Sequence, residues 1–96
     1  MNDLIWTENA LRNLRDIGAF IAHDNPRAAA NMIRRIAASV ASLTVYPRMG
    51  RIGRDPTTRE LVVRGTPYIA TYRVRQRVEI IAIFHASRKW PERFDR

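Results

Sequence analysis

His85 and Arg73 are the pair in this chain whose chemistry is easiest to name. His85 closes an apolar run that begins at Val78, and Arg73 lies in the run before it. Histidine titrates near neutral pH and can act as acid or base, while a guanidinium can hold the charge of a pentavalent phosphorane. With Glu60, Tyr68 and Tyr72 on neighbouring runs, these residues are the parts needed for phosphodiester cleavage. Strand geometry divides the group, because successive side chains point to opposite faces. Ile69, Thr71 and Arg73 fall on one side of their run, and Tyr68, Ala70, Tyr72 and Val74 on the other. In the last run Val78, Ile80, Ala82 and Phe84 share one face, and Ile81, Ile83 and His85 the other. If Arg73 and His85 share the open face, the two tyrosines belong to the core. The alternative for His85 is a satisfied structural histidine at a strand end.

Anion recognition is the second chemistry that the residues offer. Arg48, Arg51 and Arg54 lie between Pro47 and Thr58, and Arg59 and Arg64 end one apolar run. Arg73, Arg75 and Arg77 surround the next turn, and Arg88, Lys89 and Arg93 follow the last run. The net charge is +8 and uneven: residues 1–46 hold five arginines against four acids, residues 47–96 twelve basic residues against five. Of the seventeen basic residues only Lys89 is lysine, and the planar guanidinium fork suits phosphate and carboxylate better than an ammonium does. Such a surface fits a polyanion, either nucleic acid or an acidic polypeptide. Trp90, next to Arg88 and Lys89, has the composition of an interface anchor, and the alternative for Trp90-Pro91 with Phe94 is a tail folded over the core.

Other chemistries lack their residues. With no cysteine there is no disulfide, thiol redox pair or thiolate zinc site. His23 and His85 are too far apart for a paired-histidine metal motif, and His23 reads as a helix-end cation. Ser39, Ser42 and Ser87 show no partnered histidine and acid at a recognisable spacing. No metal or cofactor is expected. The start, from Met1 to Trp6, has no basic and apolar leader pattern, and no apolar run reaches membrane-spanning length, so a cytoplasmic location is expected.

The elements that must position these residues follow from periodicity and punctuation. Leu4-Ile5-Trp6 reads as a short strand before Thr7, an N-cap. Leu11, Leu14, Ile17 and Ile21 then recur at helical spacing from Glu8 to about Asp24. Asn25-Pro26 starts a second helix, with Met32, Ile33, Ile36, Val40 and Leu43 as its stripe, running to about Thr44 before Pro47 stops it. Residues 47–58 read as an exposed cationic loop, followed by β-runs at Arg59–Arg64, Tyr68–Val74 and Val78–His85 joined by tight turns. The expected fold is one α+β domain over residues 1–96, β-α-α-β-β-β, with a helical hairpin packed on one face of an antiparallel sheet. Two helices cover only one face, so the doubly apolar last run implies a partner on the second.

The order and spacing of several segments carry a resemblance. Pro47 to Arg51, Thr58 to Val63, Pro67 to Val74 and Val78 to Pro91, with the helical hairpin before them, resemble the ParE/RelE superfamily of toxins from bacterial type II toxin–antitoxin systems. The resemblance implies a plasmid- or chromosome-borne toxin of a plasmid-stabilisation kind, neutralised by a cognate antitoxin whose acidic C-terminal segment wraps it in a hetero-oligomer. RelE-like members cut mRNA on the ribosome. ParE-like members inhibit DNA gyrase. Arg73 matches the position of a catalytic arginine in the ribonuclease branch, and His85 resembles its strand-end histidine. The lysine pair of RelE is absent, with Arg51 and Arg54 nearest, and the Arg-Lys-Trp-Pro ending of the last motif is closer to ParE. Gyrase inhibition is therefore the expectation and mRNA cleavage by Arg73 and His85 the alternative. A basic nucleic-acid-binding module without a toxin role is the third reading. Arg51, Arg54, Arg59, Arg64, Ile81, Ile83, Arg88 and Trp90 are the expected target- or antitoxin-binding residues.

Overall fold

A computed structural model describes residues 2–87. The first strand, β1, is Leu4–Trp6, and helices α1 (Glu8–Ala22) and α2 (Pro26–Ala41) follow it. The Thr7 hydroxyl accepts the Ala10 N–H (3.2 Å), and the Asn25 side chain accepts the Ala28 N–H (3.0 Å), so both expected N-caps form. Each helix ends a little before its expected limit, at Ala22 rather than about Asp24 and at Ala41 rather than about Thr44. The last turn of the second tightens into a 3-10 turn at Ser42–Thr44, a common way to satisfy terminal carbonyls.

Four more strands follow among the described residues: β2 (Arg51–Ile52), β3 (Arg59–Val62), β4 (Tyr68–Val74) and β5 (Val78–His85). The sheet order is β1-β5-β4-β3-β2. Strands β3, β4 and β5 form the expected antiparallel meander. Gly65, at φ +78°, makes the turn between the first two, a backbone region that side chains disfavour. The sheet as a whole is mixed, because β1 runs parallel to β5, with Leu4 beside Val78 and Trp6 beside Ile80. That order puts α1 over β5 and drops Leu4 and Trp6 into the same core. The cationic stretch also holds a strand, β2, where Arg51 pairs with Glu60 and Ile52 with Arg59.

One irregularity changes which residues share a face. β5 has eight residues opposite the seven of β4, and the register slips between Thr71 and Tyr72, leaving Ile81 as the extra residue of a β-bulge. Val78 and Ile80 lie beside Val74 and Tyr72 on the helix-facing side. Beyond the bulge it is Ile83 and His85 that lie beside Ala70 and Tyr68 on that side, while Ala82 and Phe84 turn to the second face. The straight alternation expected for this run therefore fails at Ile81. The double apolar pattern has an internal cause: the bulge exchanges the faces half-way along.

The core lies between the hairpin and the sheet. Ile36, Val40 and Leu43 meet Val63, Tyr72, Val78 and Ile80, all of them fully or almost fully buried. Among the described residues no helix is long and apolar enough to cross a membrane, and no group of three or more acids and histidines could hold a metal ion.

Candidate functional site

The loop that carries the first arginines is held by two side chains from the sheet. Tyr72, central in β4 and fully buried, donates its hydroxyl to the Pro47 carbonyl (2.8 Å) and accepts the Gly50 N–H (2.8 Å). Burial pushes the Tyr72 phenol above its ordinary range, with the Gly50 N–H and the Arg59 charge opposing. Arg59 extends its guanidinium from β3 to the Gly50 carbonyl (2.8 Å) and the Arg48 carbonyl (3.2 Å). Arg59 is thus half-buried and spent on the loop backbone, a structural tie rather than a free anion-binding group. Further along, Asp55 accepts the Thr57 N–H (2.9 Å) and hydroxyl (2.8 Å), bonds that hold its carboxyl below the usual range. A loop expected to be irregular is therefore fixed at both ends.

The second face of the sheet is built in three rows across the strands. Val62, Ile69 and Phe84 form an apolar row at one end. Arg51, Glu60, Thr71 and Ala82 form the middle row, where the Arg51 Nε donates to Glu60 Oε1 at 3.1 Å. Arg73, Glu79 and Ile5 form the third. There the Arg73 Nε donates to Glu79 Oε1 (2.7 Å) and Arg75 reaches the same oxygen (3.0 Å). The Arg73 hydrogen bond holds the Glu79 carboxyl below its ordinary range against the opposing effect of burial, and Arg75 adds to it. The candidate carboxylate Glu60 and its neighbour on the same face, Glu79, are both committed to arginines.

His85 is elsewhere. It lies beside Tyr68 at the far end of the β4–β5 ladder, ring edge to ring face at 5.4 Å, while Arg73 lies beside Glu79 near the other end. Arg73 faces the second side of the sheet and His85 the helix side, so the pair does not share a face and no phosphate could bridge them. The Ser87 backbone N–H donates to His85 Nδ1 (3.1 Å), and the Ser87 hydroxyl lies 2.7 Å from the same nitrogen. A backbone N–H can only donate, so the neutral ring carries its proton on Nε2, and Ser87 occupies the lone pair a base would use. Ser87 thus does have a histidine partner, contrary to its spacing in the sequence. Among the described residues no carboxylate completes a triad.

The remaining expected residues scatter. Ile83 is a core residue, 4% exposed, because the bulge turns it inward, and it is no part of a binding surface. Ile81 is half-buried at the bulge, and its carbonyl accepts from Asn9 (2.9 Å). Arg64 is exposed beside the Gly65 turn, far along the sheet from Arg51 and Arg54, which stand at the opposite edge loop. Arg88 and Trp90 lie outside the described residues.

Sequence reasoning missed the residues that close the edge of β5. Past Trp6, where β1 ends, the Thr7 hydroxyl donates to the Ile80 carbonyl (2.8 Å), the Asn9 amide to the Ile81 carbonyl (2.9 Å), and the Ile83 N–H donates to Asn13 Oδ1 (3.0 Å). An unpaired strand edge is a site for unwanted pairing, and here α1 covers it with polar side chains. The signal was present: Asn9 and Asn13 are one helical turn apart, beside the apolar stripe.

This arrangement of a helical hairpin on a five-stranded sheet occurs in a solved structure, the chromosomal ParDE toxin–antitoxin system of P. aeruginosa. The TM-score is 0.81 at 25% identity, over 91% of this chain and 98% of that one. Residues 4–90 match the family described as ParE toxin of the type II toxin–antitoxin system, parDE. The chain belongs to the ParE toxin family. Two relatives agree with that placement. The Y4kP protein of Sinorhizobium fredii, which its name classes with toxins, is 48% identical over 87 residues, covering 91% of each chain. Toxin RelE2 of Caulobacter vibrioides is 39% identical over 89 residues, covering 92% of this chain and 99% of its own. In this member of the ParE family, Arg48, Arg51 and Arg54 lie on the anchored loop and its short strand, Arg73, Arg75 and Arg77 gather at the β4–β5 turn, and Arg64 stands apart at the Gly65 turn.

Proposed function

We propose that this ParE-family chain arrests growth by docking on DNA gyrase and blocking it without cleaving a bond, and that a cognate antitoxin with an acidic C-terminal segment holds it inactive in a hetero-oligomer. The observation that carries this reading is the separation of Arg73 from His85. Cleavage of a phosphodiester needs a proton acceptor and a charge stabiliser within about 3 Å of the reacting atoms, and these two stand on opposite faces and near opposite ends of one ladder. Arg73 is further engaged with Glu79, and the basic lone pair of His85 with Ser87.

The reading takes residues 1–96 as one toxin domain acting in the cytoplasm. A second reading, mRNA cleavage on the ribosome with Arg73 and His85 as catalytic residues, draws on the printed name of the Caulobacter relative. It requires the target to reorganise both side chains. Assays of the purified chain against gyrase supercoiling and against ribosome-bound mRNA separate the two: loss of supercoiling with intact mRNA is expected, and mRNA cleavage with unaffected supercoiling would reverse the choice.

A further inference from the structure

The outer face of α2 carries charge of one sign only. The helix contains Arg27, Arg34 and Arg35 and no acid, whereas α1 beside it sets Arg12 and Arg15 against Glu8 and Asp16. Ala29, Ile36 and Val40 make its buried side. Arg27, Asn31 and Arg34, at spacings of four and three, lie together on the opposite, exposed side, where Arg34 donates to Asn31 Oδ1. Arg35, nearer the sheet, donates to the Gly65 carbonyl (3.3 Å). Among the described residues none of these three arginines forms an ion pair, in contrast to Arg51, Arg73 and Arg75. Arg27 also stands in the first turn, where the helix dipole disfavours a cation and no acid offsets it. The nearest acid in sequence, Asp24, lies against His23.

We infer that this face of α2 is a docking surface for the phosphate backbone of duplex DNA. The inference goes beyond the action on gyrase proposed above and does not rest on it. Charge complementarity calls for a polyanion, and the rest of the face selects which one. Phe20, Val45 and the other exposed large apolar residues all lie outside α2, so the face has no anchor of the kind that protein partners or lipid surfaces use. It has no aromatic ring on which single-stranded bases could stack. Its other exposed positions, Ala30, Ala37, Ala38 and Ala41, are small and let a backbone approach closely. Arg27 and Arg34 stand about 10 Å apart along the helix axis, close to the major-groove width of about 12 Å, so the two can reach phosphates on both of its sides.

The test measures binding of the purified chain to a fluorescein-labelled DNA duplex of about 30 base pairs, by anisotropy, between about 50 and 200 mM salt. Each arginine engaged with a phosphate contributes about −0.9 to the slope of log K against log salt. Arg27→Ala/Arg34→Ala is therefore expected to flatten the slope by about two and to weaken low-salt binding about tenfold or more. Alanine favours a helix, and thermal melting checks that the variant folds. Arg27→Lys/Arg34→Lys keeps both charges and is expected to keep the slope. Arg77→Ala removes a charge at the turn on the other end of β4 from Gly65 and is expected to leave the slope unchanged. Absence of duplex binding by the parent, or an alanine variant with the parent's slope, would overturn the assignment. So would an alanine variant that loses binding to phosphatidylglycerol vesicles or to polyglutamate while its duplex binding stays intact.

Discussion

The hydroxyl oxygen of Tyr72 lies 2.8 Å from the backbone nitrogen of Gly50, and a Cβ at position 50 would stand 2.7 Å from that same oxygen. Glycine is required there by close approach, since a side chain would also meet the Glu60 carbonyl at 2.8 Å. The contact ties the sheet's central tyrosine to the loop that carries Arg48 and Arg51.

Loss of either partner should therefore be felt. Tyr72→Phe leaves a buried N–H and a carbonyl unpaired, and is expected to cost about 1–3 kcal/mol. Gly50→Ala forces the loop outward at about 1–3 kcal/mol. Urea unfolding monitored by circular dichroism measures both, and a change under half a kcal/mol for both variants would show that the loop is not held this way.

The closed edge of β5 makes a separate prediction. Asn13→Ala leaves the Ile83 N–H without its acceptor and should destabilise the chain by about 1–3 kcal/mol while speeding exchange of that amide. Hydrogen exchange followed by NMR reads the effect at one residue. Unaltered protection of Ile83 would contradict the assignment.

Glu79 sets an acid dependence. Its carboxyl is held below the ordinary glutamate range by Arg73, with Arg75 assisting, so the native state binds fewer protons there than the unfolded chain. The stabilisation is present above the ordinary glutamate pKa and is lost as pH falls through the lowered one. Glu79→Gln should be less stable than the parent near neutrality and should lose less stability on acidification. Parallel melting-temperature curves for the two proteins from pH 7 to the acid limb would count against it.

Much of this was legible before any coordinates, and the exceptions have physical causes. Asn25-Pro26 and Thr7 mark helix starts because their chemistry is local, and Gly65 marks a turn for the same reason. The bulge at Ile81 is not local. A period of two reads straight through it, and only the register against β4 shows that Ile83 and His85 have changed sides. That single residue is why Arg73 and His85, matched by resemblance, lie on opposite faces, and their separation along the ladder keeps them apart in either register. The parallel pairing of β1 was hidden because three residues carry no direction, and the roles of Arg59 and Asn13 were hidden because each bonds a backbone atom distant in sequence.

The central claim is that the chain acts by docking rather than by phosphodiester cleavage. Its most direct test is inhibition of purified gyrase in a supercoiling assay by the parent protein and by the Arg73→Ala/His85→Ala double variant, with the fold of the variant confirmed. The account predicts that the parent inhibits supercoiling and that the histidine and arginine are not needed as a catalytic pair, so the double variant retains inhibition. A parent protein that leaves supercoiling untouched, or a variant that folds but has lost all inhibition, would contradict it.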